Sequence, residues 1–211
     1  MLVRPDEQVP LARLLTFLEY GERLAHDCAF AQSALAPQRG MQRFLASQAR
    51  QESAHAWVFH GAIAWLAPRH IGDSPFLPAL EQYRALLEDA LQRRNMPETL
   101  MAEQLILEGL GEAILGRIEE GLVKRGAPFG SLRRVLLAQE EAHHDFGRRM
   151  LDRAFAAGAT SPDALRVRAQ EYLALTDRMV STLGDLFESI DEDPKLYMER
   201  AKSYLPAWLI T

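Results

Sequence analysis

Two copies of a Glu-x-x-His pattern are the residues of this sequence best suited to chemistry. Residues 51–55 read QESAH and residues 139–143 read QEEAH, so the copies agree at four of five positions and lie 88 residues apart. In a helix, side chains at positions i and i+3 lie on one face, about one turn apart. A carboxylate oxygen and an imidazole nitrogen placed in this way can bind one metal ion, so each copy predicts half of a metal site.

A second pair of matching residues precedes these two copies. Gly21-Glu22 and Gly111-Glu112 lie 90 residues apart, each upstream of one Glu-x-x-His copy. Two Glu-x-x-His motifs, together with one Glu from each of two further helices, make the di-iron or di-manganese carboxylate site. Four carboxylates would balance the charge of two divalent cations. The candidate metal ligands are therefore Glu22, Glu52, His55, Glu112, Glu140 and His143.

One of these ligands has an alternative in the same helix. Glu108 lies one turn before Glu112, on the same helix face. Glu112 lies 16 residues before Pro128, and Glu22 lies 15 residues before Pro37, so the two distances to a turn proline match. Glu108 lies 20 residues before that turn. We therefore favour Glu112 and keep Glu108 as the alternative.

The second Glu-x-x-His copy can also be read in two overlapping ways. Glu140 and His143 lie on a largely apolar face, whereas Glu141 and His144 share a face with arginines. The apolar face and the internal repeat both select the first pair. His144 and Asp145 are then expected to support the metal-binding histidines by hydrogen bonds or to lie at the surface.

The candidate ligands occupy positions that face the core of a helical protein. Glu52 and His55 interrupt an otherwise largely apolar helix face that runs from Leu45 to Phe59, and Glu22 is the one charged residue on the apolar face of its helix. An unpaired buried carboxylate is strongly destabilising, and metal ligation removes that cost. A single Glu-x-x-His is usually a solvated surface pair, but two copies in the same context favour a metal site.

Turn residues divide the chain into long helices that position these side chains. Proline, glycine and polar clusters provide the starts and stops. We predict four long helices over residues 9–36, 41–66, 97–124 and from Pro128 or Ser131 to about 157, a shorter helix over 79–94 after a loop at 68–78, a fifth long helix from 161 to about 190, and a short one after Pro194.

The connections between these helices predict the topology. Short turns join the first long helix to the second and the third to the fourth, so each pair should form an antiparallel hairpin. The connection between the hairpins has about 30 residues and its own helix, which is long enough to cross the bundle. This is the ferritin-like four-helix bundle. The sequence predicts one all-α domain over 1–211, with a core bundle at about 9–157 and a C-terminal helical extension at 158–211.

Composition and charge exclude several other classes. Ala and Leu fill 62 positions, whereas Val, Ile and Thr fill 20, which disfavours a substantial sheet. The net charge of −5 argues against a dedicated nucleic-acid binder. The single Cys excludes an intrachain disulfide framework and a cysteine zinc cluster. No apolar segment is long enough to span a membrane and the N-terminus does not resemble a secretory signal, so we expect a cytoplasmic protein.

Over roughly residues 9–157 the sequence resembles the ferritin-like di-iron carboxylate superfamily. Residues 140–147 (EEAHHDFG) resemble the Glu-x-x-His-x-x-Phe-Gly signature of ribonucleotide reductase small-subunit-like oxidases. Residues 105–108 (LILE) resemble aldehyde-deformylating oxygenases, which favours Glu108 as a ligand. Gly111-Glu112-Ala113, 28 residues before Glu140, is more similar to tRNA hydroxylases of the MiaE type. The resemblance is to the superfamily and not to one member.

The resemblance implies O2 or peroxide chemistry at two iron ions, with manganese as an alternative at one or both positions. Our main hypothesis is an oxidoreductase that uses O2 and an electron donor to hydroxylate or oxidise a small, apolar organic substrate. The first alternative is an iron-storage or peroxide-scavenging protein related to ferritin or rubrerythrin. The long crossover and the C-terminal extension of about 50 residues count against it. The second alternative is a helical binding protein without a working metal site. A homo-oligomer is compatible with all three.

Overall fold

Every regular element in the described part of the chain is helical. The computed structural model describes residues 3–67, 74–126, 130–189 and 193–210. Alanine and leucine dominate the composition, and both have high helix propensity. The predicted all-α fold class is confirmed.

The long helices lie within a few residues of their predicted positions. A π-helical segment, Met101–Leu107, joins α4 to α5 without a break. In chain order, the α-helices of the described ranges are α1 Gln8–Leu35, α2 Arg39–Leu66, α3 Leu77–Gln92, α4 Met96–Leu100, α5 Glu108–Lys124, α6 Gly130–Ala156, α7 Pro162–Ser181, α8 Gly184–Ser189, α9 Pro194–Tyr204 and α10 Ala207–Ile210.

Helices α1 and α2 form an antiparallel pair joined only by residues 36–38. Glu19 in α1 lies beside His60 in α2. His26, further along α1, lies beside Ala49, which is earlier in α2. Residue numbers therefore rise along one helix as they fall along the other, as the sequence predicts for this hairpin.

Helices α5 and α6 form a second antiparallel pair. Arg133, near the start of α6, makes an ion pair with Glu119 in the second half of α5. His143, further along α6, lies 3.6 Å from Glu108 at the start of α5. Helix α6 is already present at Gly130, and Pro128, where it was predicted to begin, lies outside the described residues.

The segment between the two hairpins contains α3, α4 and the π-helical segment. Asn95 caps α4, because its side chain accepts a hydrogen bond from the Glu98 backbone N–H. All seven residues of the π-helical segment are buried, and its Ala102 carbonyl accepts a hydrogen bond of 2.5 Å from the Tyr83 hydroxyl of α3. π-helical turns are often found at functional sites. This one ends immediately before Glu108. Of the predicted loop, residues 68–73 lie outside the described residues.

The C-terminal helices differ from the prediction in two places. The fifth long helix was expected to reach about residue 190, but α7 ends at Ser181. The Ser181 hydroxyl donates to the Asp177 carbonyl and the Thr182 hydroxyl donates to the Met179 carbonyl, and such side-chain bonds compete with the helical backbone pattern. Residue 190 lies outside the described residues. The short final helix is two helices, because Pro206 between α9 and α10 has no N–H to donate.

A single large apolar cluster draws side chains from all the long helices. The buried polar residues are concentrated in the middle of α1, α2, the π-helical segment with the start of α5, and α6. Among the described helices, none combines the length and the apolar character needed to cross a bilayer. The fold therefore surrounds a buried polar cluster with apolar side chains.

Candidate metal centre

His55 in α2 lies at the centre of three carboxylates from three helices. Its Nδ1 atom is 3.3 Å from Glu22 Oε2, 3.2 Å from Glu52 Oε2 and 2.9 Å from Glu140 Oε1. Glu22 comes from α1 and Glu140 from α6, and all four side chains are buried. Within α2, the i and i+3 spacing places Glu52 and His55 side by side.

His143 in α6 has a matching environment. Its Nδ1 atom is 2.9 Å from Glu52 Oε1 and 3.6 Å from Glu108 Oε1. Glu52 therefore presents one oxygen to each histidine, since its other oxygen, Oε2, faces His55. The two halves of the internal repeat meet at this carboxylate.

Among the described residues, two groups of side chains could each hold a metal ion. Within each group, one ligand atom from every residue lies within 4.8 Å of all the others. Glu52 and Glu140 belong to both groups, so they lie between the two positions. The first group is Glu22, Glu52, His55 and Glu140, and the second is Glu52, Glu108, Glu140 and His143.

The outer nitrogens of the two histidines are held by glutamines in a reciprocal arrangement. His55 donates from Nε2 to Gln139 Oε1 at 2.9 Å, and His143 donates from Nε2 to Gln51 Oε1 at 2.8 Å. Each glutamine immediately precedes the Glu of the opposite motif. With the Nε2 hydrogen used in this way, the neutral imidazole carries its lone pair on Nδ1, which faces the carboxylates. Such partners fix the orientation of metal-binding histidines.

The inward-facing atoms of the cluster have no hydrogen-bond partner of acceptable geometry despite their short separations. They are Glu52 Oε1 and Oε2, His55 Nδ1, Glu140 Oε1 and His143 Nδ1. Buried polar atoms are normally paired, because leaving one unpaired is costly. Oxygen and imidazole nitrogen donors aimed at a common point suit a divalent metal ion. The residues present therefore fit a two-metal carboxylate site.

The cluster binds protons strongly when it holds no metal. Burial raises the pKa of Glu22 above its ordinary value and raises that of Glu140 to about 8, and in both cases the charge of a neighbouring carboxylate adds to the effect. Burial lowers the pKa of His143, but Glu108 and Glu52 outweigh it and bring the pKa to about 10. Burial also opposes ionisation of Glu52, yet the two histidines hold its pKa at about 2. Metal ions must therefore displace protons from this cluster.

The structure brings together five of the six favoured ligands, together with Glu108. Glu112 is not a member of either group and is half-buried, with an Oε2 atom that has no hydrogen-bond partner. Burial, with nearby carboxylates, raises the pKa of Glu112 to about 7. The geometry thus favours Glu108, the alternative from the sequence, as the ligand from the third long helix.

The residues next to the second motif lie away from the two groups. Glu141 is exposed and Asp145 is half-buried. His144 is buried, its ring packs edge-on against Tyr204 with 6.1 Å between centroids, and burial lowers its pKa. The glutamines that support the metal-binding histidines are Gln51 and Gln139, which sequence reasoning did not assign to this role. Their identity in both copies of the repeat was the signal.

A second set of buried polar residues contacts the cluster from the side of the α1–α2 turn. Gln48 donates from Nε2 to Glu103 Oε1 at 2.9 Å and to Glu108 Oε1 at 2.8 Å. Gln104 and Gln32 continue the network, and all five side chains are buried. Gln48 lies on the core-facing side of α2, so its polar character at an apolar position was visible in the sequence.

Comparison with known proteins adds no family to this description. No family model matches the chain, and no curated protein matches it significantly. The functional argument is therefore based on the residues and geometry of the cluster.

Proposed function

We propose that this chain is a ferritin-like di-iron carboxylate oxidoreductase that activates O2 to hydroxylate or oxidise a small organic substrate. The observation that carries the proposal is the pair of ligand groups that share Glu52 and Glu140. Each group adds one histidine and one further carboxylate. This is the ligand set of the two-metal carboxylate sites found in four-helix bundles.

The relative directions of the long helices support a ferritin-like bundle. Helix α2 is antiparallel to α1, and α5 is antiparallel to α6, as the side-chain pairs across each hairpin indicate. Gln48 of α2 contacts Glu108 of α5, whereas Glu140 of α6 contacts His55 of α2. Two hairpins joined by a long crossover are the topology of this fold.

The choice of iron rests on the donor chemistry. Carboxylate oxygens and imidazole nitrogens without thiolate suit iron or manganese, so manganese at one or both positions is the alternative. Bound iron would supply the electrons and open coordination positions that O2 chemistry requires, and a separate electron donor would restore the reduced state. Glu52 and Glu140 would lie between the metal ions, with Glu22 and His55 on one ion and Glu108 and His143 on the other.

The protein's own contribution is to exclude water and to leave a small space beside the ligands. A cavity of about 30 Å³ borders Glu22, Glu108 and Glu140, and its other walls include Phe17, Leu18 and Leu107. One water molecule needs roughly 10–15 Å³ on the same kind of measure. The cavity therefore has room for a molecule of the size of O2 next to three of the proposed ligands.

A larger apolar cavity supports an apolar substrate. Its volume is about 250 Å³, and α1, α2, α5 and α6 all contribute to its walls. Phe59 in this wall follows His55 by four residues, and Leu136 precedes Glu140 by four residues. Four residues of helix rise by about 6 Å, so the cavity begins one turn from the proposed ligands.

One observation favours a second candidate, an iron-handling or peroxide-scavenging protein. The 30 Å³ cavity that touches Glu22, Glu108 and Glu140 is large enough for O2 or peroxide and too small for an organic molecule. In this candidate the same ligands bind iron, and the oxidant reacts with iron electrons without an organic substrate.

The test uses the full chain and two neighbouring glutamates. Metal-free protein is loaded with Fe(II) without O2, unbound iron is removed, and iron per chain is counted. We expect two iron ions per chain, a loss of iron in Glu140→Gln and no change in Glu141→Gln, because Glu141 is exposed. Failure of the wild-type protein to bind iron, or full binding by Glu140→Gln, would overturn the proposal.

Oxygen consumption separates the two candidates. The iron-loaded protein is given O2 and a reductant with small alkanes or alcohols, and separately with excess Fe(II). Formation of an oxidised organic product supports the oxygenase. Oxygen uptake that follows the amount of added Fe(II), with no product from any organic compound, supports the iron-handling candidate instead.

A further inference from the structure

The two proposed metal positions differ in how firmly their outer carboxylates are held. Glu108 accepts a hydrogen bond of 2.8 Å from the Gln48 amide. Glu22, the corresponding carboxylate of the other group, has His55 Nδ1 as its contact at 3.3 Å. In the described part of the chain, no glutamine amide contacts Glu22. One ligand is therefore fixed before metal binding, and the other is not.

The internal repeat shows where this difference originates. Gln48 lies four residues before Glu52, and the residue four positions before Glu140 is Leu136. Gln48 is completely buried, whereas Leu136 is partly buried and lines the apolar cavity. The first copy of the repeat thus has an amide donor where the second copy has an apolar side chain.

Further buried amides hold Gln48 in place. Its side-chain oxygen accepts a hydrogen bond of 3.3 Å from Gln104 Nε2. Gln104 and Gln32 exchange two hydrogen bonds, of 2.7 and 3.2 Å, and both side chains are completely buried. The network joins α1, α2 and the π-helical segment, so the Gln48 amide has little freedom to turn away from Glu108.

Close packing of α6 adds to this rigidity. A Cβ atom built on Gly147 would lie 2.5 Å from the Gln104 Cβ atom, which is much closer than real contacts allow. Glycine at this position therefore lets α6 approach the π-helical segment at Gln104. The amide network is enclosed on this side by the helix that also carries His143.

We infer that Gln48 is a positioning residue that makes the two metal positions unequal. The position with Glu108 and His143 retains its metal ion, and the position with Glu22 and His55 exchanges its metal ion readily. This inference rests on the proposed function, since it requires two metal ions at the cluster. Hydrogen-bond partners of metal ligands typically change metal affinity by about 10–100-fold, which sets the size of the expected difference.

Release of Co(II) tests the inference without any measurement of enzyme activity. Co(II) has visible absorption that reports its ligands, and a strong chelator removes it from the full-length protein. We expect wild-type protein loaded with two Co(II) ions to release them in two phases that differ by about tenfold or more. Glu22→Gln should change the fast phase alone. Gln48→Met, which keeps a side chain of similar length without an amide, should accelerate the slow phase by about tenfold or more and shift its spectrum.

Glu103→Gln is the matched control, because it lies in the same buried network. Glutamine at position 103 retains the oxygen that accepts from Gln48 and leaves the bond to Glu108 in place. The slow phase should therefore stay as in the wild-type protein. A merely structural role for the network would make Gln48→Met and Glu103→Gln change both phases alike, and that result overturns the inference.

The remaining outcomes are also decisive. Two Co(II) ions released in one phase, or a slow phase that Gln48→Met leaves unchanged, overturn the inference while the proposed function stands. No binding of Co(II) or Fe(II) by the wild-type protein overturns both. If Gln48→Met does not fold, Gln48→Asn replaces it, because its shorter amide cannot reach both carboxylates, and a slow phase unchanged by that variant again contradicts the inference.

Discussion

His55 and Gln139 are joined by a hydrogen bond of 2.9 Å that links the two copies of the repeat. The imidazole Nε2 atom of the first motif donates to the glutamine that precedes Glu140 in the second motif. His143 and Gln51 make the equivalent bond of 2.8 Å in the opposite direction. Each motif therefore orients the histidine of the other, which explains why the repeat includes glutamine and not only glutamate and histidine.

Replacing Gln139 by Leu should weaken metal binding without unfolding the protein. The substitution removes the acceptor of the His55 Nε2 hydrogen, so the ring is no longer held with Nδ1 toward the carboxylates. We expect metal affinity to fall by about 10–100-fold, as is typical for such partners. Competition with a chelator of known affinity measures this change. Glu141→Gln, at the exposed neighbouring position, is the control, and equal affinities for the two variants would contradict the assigned role of Gln139.

Metal binding should become stronger as the pH rises from 6 to 8. Burial raises the pKa of Glu140 to about 8, and the carboxylates Glu108 and Glu52 raise the pKa of His143 to about 10 against the effect of burial. Both groups hold a proton over this range when no metal is present, and a metal ion must displace it. Each displaced proton changes the apparent affinity by about tenfold per pH unit. Titration with Zn(II) at several pH values checks this, and a pH-independent affinity would argue against these residues as ligands.

Glu108 and Glu112 should respond differently to neutralisation. Glu108→Gln is expected to remove one of two bound metal ions, because Glu108 belongs to the group that contains His143. Glu112→Gln should retain both, because Glu112 belongs to neither group. Metal counting after removal of unbound ions distinguishes the two variants. Loss of a metal ion in Glu112→Gln alone would restore the ligand that we favoured from the sequence.

The sequence located most of the cluster because the chemistry is repeated within it. The two QExAH segments identify Glu52, His55, Glu140 and His143 without any structural information. Their core-facing positions follow from helical periodicity. Glu22 follows from its place on an apolar helix face, since it is the one charge there.

The third long helix was harder to interpret because periodicity does not separate two glutamates one turn apart. Counting from Pro128 favoured Glu112, but α5 ends at Lys124 and the chain already turns at Gly126, which has a φ of +64°. A glycine accepts this left-handed conformation readily. The reference point for the count was therefore two residues too late, and the distances from the turn no longer distinguish Glu108 from Glu112.

The buried amide network could not be derived from the sequence. Gln32, Gln48 and Gln104 come from three different segments, and their contacts depend on the register of those segments. A π-helical turn shifts that register relative to an α-helix, and no residue in Met101–Leu107 marks it in the sequence. Gln48 alone was conspicuous, as a polar residue on a core-facing seam.

Gly147→Ala should destabilise the fold. The added Cβ would lie 2.5 Å from the Gln104 Cβ atom, and neither atom is at the flexible end of a side chain. We expect a loss of about 1–3 kcal/mol in the free energy of unfolding, measured by urea denaturation followed by circular dichroism. Gly61→Ala is the matched control, because that helical glycine is exposed with nothing within 4 Å of an added Cβ. It should stabilise the protein by about 0.5–1 kcal/mol, and equal effects of the two substitutions would refute the packing argument.

The central claim is that two metal ions bind between α1, α2, α5 and α6 and share Glu52 and Glu140. Anomalous scattering at the iron edge from crystals loaded with Fe(II) without O2 tests it most directly. The account predicts two iron peaks per chain, both in contact with Glu52 and Glu140, with His55 and Glu22 on one and His143 and Glu108 on the other. A single peak, peaks outside this cluster, or no iron at all would contradict it.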